Sequence, residues 1–186
     1  MVITTWEWTR ISGLTSFCLL FLSIFAGLLH SSGLIPLKWK GSWNLFHQFT
    51  GWIGFLIIIF HGTVLLFDSY VSYHWYEVFI PFYSDEHRLL NGIGTVALYG
   101  VFLILLSSDM MKIVGRSVWK KIHLFSLPAY LLALAHGVLI GSDSTTEPMM
   151  ALYFGTSILL ITAFCLKRFY VSFQKKGRHV AKGGRL

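Results

Sequence analysis

The sequence predicts an all-α integral membrane bundle of five transmembrane helices, with the N-terminus outside and the C-terminus cytoplasmic. Three observations predict it. The 186 residues are 55% hydrophobic and only 12% charged, with a mean hydropathy of +0.65, a balance that suits lipid better than water. Five apolar runs reach the length that crosses a hydrocarbon core of roughly 30 Å as helix. The charged residues between the runs separate by sign.

The first run, residues 11–30, is too long for a cleaved secretory signal, and no small-residue cleavage site follows it. The second, 45–67, begins and ends near a histidine. The third, 89–106, opens on NGIG at 91–94, where small residues suit close helix packing or a flat ligand. The fourth, 122–140, contains Pro128, and the fifth, 149–166, leads into a basic tail. Residues 1–168 are therefore read as one membrane domain and 169–186 as a cytoplasmic tail.

Charge orients the spans. The loops at 31–44 and 107–121 and the chain from Lys167 hold thirteen of the fifteen basic residues and one acid, Asp109. The opposite side holds Arg10 and Arg88 against seven acids, so the two sides carry +12 and −5. Positive-inside bias makes the first side cytoplasmic. Trp6, Trp8 and Trp75 then fall at the outer interface, and Trp39, Trp43 and Trp119 at the inner one, as aromatic belts do. Multi-pass insertion in the cell membrane is the expected localisation. A basic tail beside lipid serves as a topology determinant and headgroup contact, or as a dock for an acidic cytosolic partner; it needs no nucleic acid.

Other chemistries lack their signatures. Cys18 and Cys165 lie inside spans and imply no disulfide framework; two thiols cannot hold a usual iron–sulfur cluster. No C-x-x-C-H occurs, so any haem would be held non-covalently. No phosphate-binding glycine loop follows a strand pattern, and no nucleophile–base arrangement presents itself.

Four of the eight histidines form a pattern. LFHQFTGWIGFLIIIFHG carries His47 and His61, fourteen apart, and KIHLFSLPAYLLALAHG carries His123 and His136, thirteen apart. Both spans run from inside to outside, so His47 and His123 share an inner level. His61 and His136 share an outer level about 20 Å away at 1.5 Å per residue. A haem held by two imidazoles needs ligands on opposite faces, which facing helices supply; two levels make room for two stacked haems. Fourteen residues return a helix nearly to the same face, whereas thirteen fall about 140° short of it at 100° per residue. Pro128, between His123 and His136, is the expected kink that re-aims one ring. His30, His74, His87 and His179 read as interfacial or solvated.

These pairs, their spacing and their order resemble the haem-ligating histidines of the ferric reductase-like transmembrane domain, over roughly residues 45–166. That superfamily includes NADPH oxidases, yeast-type ferric reductases and bacterial haem subunits of methionine sulfoxide reductase systems. The resemblance implies two b-type haems, the inner on His47 and His123, the outer on His61 and His136. It implies electron transfer from a cytosolic reductant to an extracytoplasmic acceptor such as ferric iron, oxygen or a partner redox protein. Set against the larger oxidases, the resemblance is expected to leave out their first span and their cytosolic FAD- and NADPH-binding region. A separate flavoprotein, an FMN or FAD bound at the cytoplasmic face, or a quinol is the expected donor. Propionates need cations: Arg116, Lys120 and Lys121 are candidates at the inner level, Arg10 and Arg88 at the outer. Gly51, Gly54, Gly62 and Gly137 would let a porphyrin, or another helix, come close.

Two other readings stay open at this point. Intramembrane histidines also serve as a proton relay or metal site in a non-redox transporter or channel subunit. A quinol-linked dihaem cytochrome b would use the same ligands.

Overall fold

A computed structural model of the chain describes residues 4–68 and 72–183, with side chains to residue 170 and at 172. The described residues form helices and contain no strand. Five helical segments are long and apolar enough to cross a membrane: Thr5–Ser32, Leu37–Phe67, Arg88–Asp109, Arg116–Ile140 and Glu147–Tyr170.

Helix α1 (Thr5–Ser32) starts in a capping box. The Glu7 N–H donates to Thr4 Oγ1 at 3.3 Å, and the Thr4 N–H donates to the Glu7 carboxylate at 2.8 Å. It ends at Gly33, whose φ of +84° is the left-handed conformation open to glycine. One 3₁₀ turn, Leu37–Trp39, leads into α2 (Lys40–Val64), and a second, Leu65–Phe67, prolongs it. α3 (Trp75–Phe79) is a short helix that hydropathy does not foretell. It hangs on α4 (Arg88–Asp109): Thr95 Oγ1 donates to the Val78 carbonyl at 2.9 Å, and the Tyr99 hydroxyl to that of Phe79 at 2.7 Å. α5 (Met111–Val114) turns the chain at the other end of α4.

The fourth predicted span is two helices, α6 (Arg116–Leu124) and α7 (Ser126–Ile140), interrupted at Phe125. Pro128 explains the place. It has no N–H for the Leu124 carbonyl, and it is accommodated in a first turn, where N–H groups lack intrahelical partners anyway. The Phe125 N–H therefore donates to Ile122 at 3.0 Å, and regular bonding resumes when the Ala129 N–H reaches Phe125 at 2.9 Å. The expected kink thus lies three residues before the proline. α8 (Glu147–Gly183) continues helically through residue 168, so the boundary drawn there for a separate tail is no break in the backbone.

α1 and α2 form one antiparallel pair, α4 and α7 another; α8 packs on α1, while α1 also meets α7 and α2 meets α4. Phe17 and Leu20 of α1, Phe55 of α2, Leu98, Val101 and Ile104 of α4, Tyr130 of α7 and Leu160 of α8 make the core. Phe17 stacks on Tyr130 with ring centroids 5.4 Å apart and meets Tyr153 edge-on at 5.2 Å. Phe55 falls midway between His47 and His61, and Tyr130 between His123 and His136, so this core lies between the two histidine levels. Outward-facing Leu45, Phe49, Leu56 and Leu131 stay exposed, apolar surface that lipid would cover.

Candidate functional site

α2 is continuous from His47 to His61, which sets those rings about 21 Å apart along the axis. The ring centroids of His47 and His123 lie 6.0 Å apart with planes at 78°. Those of His61 and His136 lie 6.3 Å apart at 84°. Two imidazole pairs therefore stand at two levels, each joining α2 to the α6–α7 segment. His123 on α6 and His136 on α7, on either side of the interruption at Phe125, both lie against α2, where an uninterrupted ideal helix would turn them about 140° apart.

Three of the rings are tethered alike. The Nδ1–H of His47 donates to the Ser23 carbonyl at 2.7 Å, that of His61 to Thr9 at 2.9 Å, and that of His136 to Leu90 at 2.8 Å. A backbone carbonyl only accepts, so each of these rings must carry its proton on Nδ1, leaving the lone pair on Nε2. Ser23 Oγ donates to the His47 carbonyl at 2.9 Å and lies 3.1 Å from His47 Nδ1; Ser12 Oγ lies 3.4 Å from His61 Nδ1. Acceptors for α2 thus come from α1, and the one for α7 comes from α4.

His123 differs. Its Nδ1 is buried without a hydrogen-bond partner among the described residues, and the Trp119 ring lies against it at 5.2 Å between centroids. Trp119 is itself held by its indole N–H, which donates to Ser108 Oγ at 3.1 Å.

The basic candidates do not join the imidazoles in one cluster. Arg10 pairs with Asp143 and lies 4.3 Å from the centroid of the Trp6 ring. Arg88 Nε donates to the Phe82 carbonyl at 2.7 Å, bracing the loop before α4. Arg116, Lys120 and Lys121 are exposed on α6, beside the His123 level. Among the described residues no three His, Cys, Asp or Glu side chains gather as metal ligands.

The four glycines read as open to a porphyrin or to another helix face residues of neighbouring elements. A Cβ on Gly51 would meet Ser23 and Leu105, one on Gly54 Leu19, one on Gly62 Val78, and one on Gly137 Tyr153. Rings face three other glycines instead. A Cβ on Gly13 would stand 3.1 Å from His61 Cε1, one on Gly27 3.1 Å from His47 Cε1, and one on Gly94 2.7 Å from His136 Nδ1. Gly94 belongs to the NGIG stretch, and the flat group against it is an imidazole. Sequence reasoning missed Gly13 and Gly27, and with them the part played by α1. A signal was there: Thr9 and Ser23, and Gly13 and Gly27, repeat the fourteen-residue interval of His47 and His61.

Compared with known proteins, the chain matches no protein-family model, no curated protein and no solved structure.

Proposed function

We propose that this chain is a membrane-embedded electron conduit of the ferric reductase-like kind, holding one b-type haem on His47 and His123 and a second on His61 and His136. The carrying observation is the pair of imidazole–imidazole separations, 6.0 and 6.3 Å. Metal–nitrogen bonds of about 2 Å on both sides of one ion bring two ring centroids to about 6 Å. Two ligands per site also suit a macrocycle, which brings four nitrogens of its own. Carbonyl-bound Nδ1–H groups fix the tautomer that a metal-ligating histidine needs and raise its basicity.

When bound, such groups would supply reversible one-electron chemistry at two depths, between a cytosolic donor (flavoprotein, FMN, FAD or quinol) and an acceptor outside (ferric iron, oxygen or a partner redox protein). The chain's own residues hold and orient. Imidazoles on α2 and on the α6–α7 segment would hold such groups, α1 and α4 aim three of the rings, and the Phe17–Tyr130 layer lies between the levels. Lipid of the cell membrane covers the exposed apolar surface, and the basic loops and tail face the cytoplasm.

The tethering argues against a proton relay. A relay that passes a proton through both nitrogens of His47, His61 or His136 would end at a backbone carbonyl, which cannot carry one onward. The test is direct: purified chain should be red, with a low-spin bis-imidazole haem b difference spectrum and two haems per chain by pyridine assay. Colourless protein from haem-replete cells would sink the proposal. Reduction by quinol without a flavoprotein would identify the donor as quinol.

A further inference from the structure

We propose that Gly13, Gly27 and Gly94 are positioning residues for the imidazoles of His61, His47 and His136, each opening one helix carbonyl to a ring Nδ1–H. This rests on the two-haem reading and adds the elements that aim the ligands. The three accepting carbonyls belong to Thr9, Ser23 and Leu90. The glycines sit four residues later in every case: Gly13, Gly27 and Gly94.

The offset has a physical cause. In an α-helix the N–H of residue i+4 bonds the carbonyl of residue i. The Cβ of i+4 leans toward the N-terminus and overhangs that same carbonyl. Any side chain there would stand between the carbonyl's outer lone pair and an approaching imidazole. Glycine removes the obstruction, and the Nδ1–Cε1 side of the ring occupies the gap, 3.1 Å from the Cβ positions of Gly13 and Gly27 and 2.7 Å from that of Gly94. The carbonyl then accepts two N–H groups, one from its helix and one from the histidine.

His123 lacks this arrangement. Counting fourteen residues along α4 from Gly94, the interval that separates Gly13 from Gly27, arrives at Ser108. Ser108 is bound to Trp119, and Trp119 rather than a carbonyl flanks the His123 ring. The outer level has two glycine seats, the inner level one.

The test compares Gly13→Ala, Gly27→Ala and Gly94→Ala with Gly54→Ala, whose Cβ would meet Leu19 at 3.2 Å without touching a histidine. Ferric electron paramagnetic resonance reads each haem. ¹⁵N spectra of histidine-labelled whole chain in the reduced, diamagnetic state read each ring nitrogen, with rings assigned from His→Gln variants. The expected result is selective. Gly13→Ala and Gly94→Ala shift or abolish the outer signal, Gly27→Ala the inner one, each with loss of the Nδ1–H resonance of its facing histidine. Gly54→Ala changes neither. Unchanged Nδ1–H resonances in the three variants, or changes that Gly54→Ala reproduces, would overturn the proposal. If wild-type chain carries no haem, the conduit reading falls, while the Nδ1–H resonances of His61, His47 and His136 still decide this one.

Discussion

Thr9 and His61 are separated by 52 residues, yet the His61 ring donates its Nδ1–H to the Thr9 carbonyl at 2.9 Å. That bond ties the beginning of α1 to the end of α2. Its counterpart between Ser23 and His47 ties the two helices at their other ends. The pair is therefore a frame with a ring seated at each end, and its consequences can be measured.

Each imidazole pair should act as a unit. His47→Ala or His123→Ala should lower haem content from two per chain to one, and His61→Ala or His136→Ala likewise. Pyridine assay and the Soret absorbance read the change, with the double variant His47→Ala/His61→Ala colourless. Retention of two haems by any single variant would show that its pair is wrongly assigned.

Pro128→Ala restores an N–H that can bond the Leu124 carbonyl and let α6 run on into α7. A straightened segment would turn His123 away from the direction of His136 by about 140° at 100° per residue. The expected outcome is loss or displacement of one haem signal, with helical circular dichroism unchanged or slightly raised. Two unaltered signals would mean that packing alone holds the break at Phe125.

Phe17 is 6% exposed and lies against both Tyr130 and Tyr153. Phe17→Ala should cost about 3–5 kcal/mol, the range for removing a buried aromatic ring. Denaturation of detergent-solubilised chain measures it; a loss below about 1 kcal/mol would show that the layer collapses around the gap.

Arg10 and Asp143 link the start of α1 to the turn before α8, with side chains 37% and 26% exposed. Solvent screens such a pair, so Arg10→Ala should cost about 0.5 kcal/mol, less in high salt. Haem content should stay at two, because the guanidinium is already engaged by Asp143 and Trp6. A drop to one would reinstate Arg10 as a propionate partner.

Orientation is open to labelling. With Cys18 and Cys165 replaced by serine, Ser142→Cys should react with an impermeant maleimide on intact cells, and Lys38→Cys only after permeabilisation. The opposite pattern would invert the electron path.

Much of the architecture was legible before any coordinates. Hydropathy alone delimits five helices, because a helix must be apolar for about 20 residues to cross lipid, and length survives any rearrangement of neighbours. The equal depths of His47 and His123, and of His61 and His136, follow from residue counts. The short helix α3 escaped notice because its five residues hang on Thr95 and Tyr99 of α4, contacts that no local pattern encodes. The break at Phe125 escaped too: a proline announces a disturbance, but its neighbours decide where the hydrogen bonds are surrendered.

The sequence by itself determined the five long apolar helical segments, the separation of charge between their loops and the heights of four imidazoles, all properties read along the chain's own axis. Only the tertiary structure decided which carbonyl each ring reaches, that Gly13, Gly27 and Gly94 make the approach possible, and that His123 has no such seat. Those depend on rotation about the axis and on which helix lies alongside, and a hydrogen bond between helices exists only once both are set.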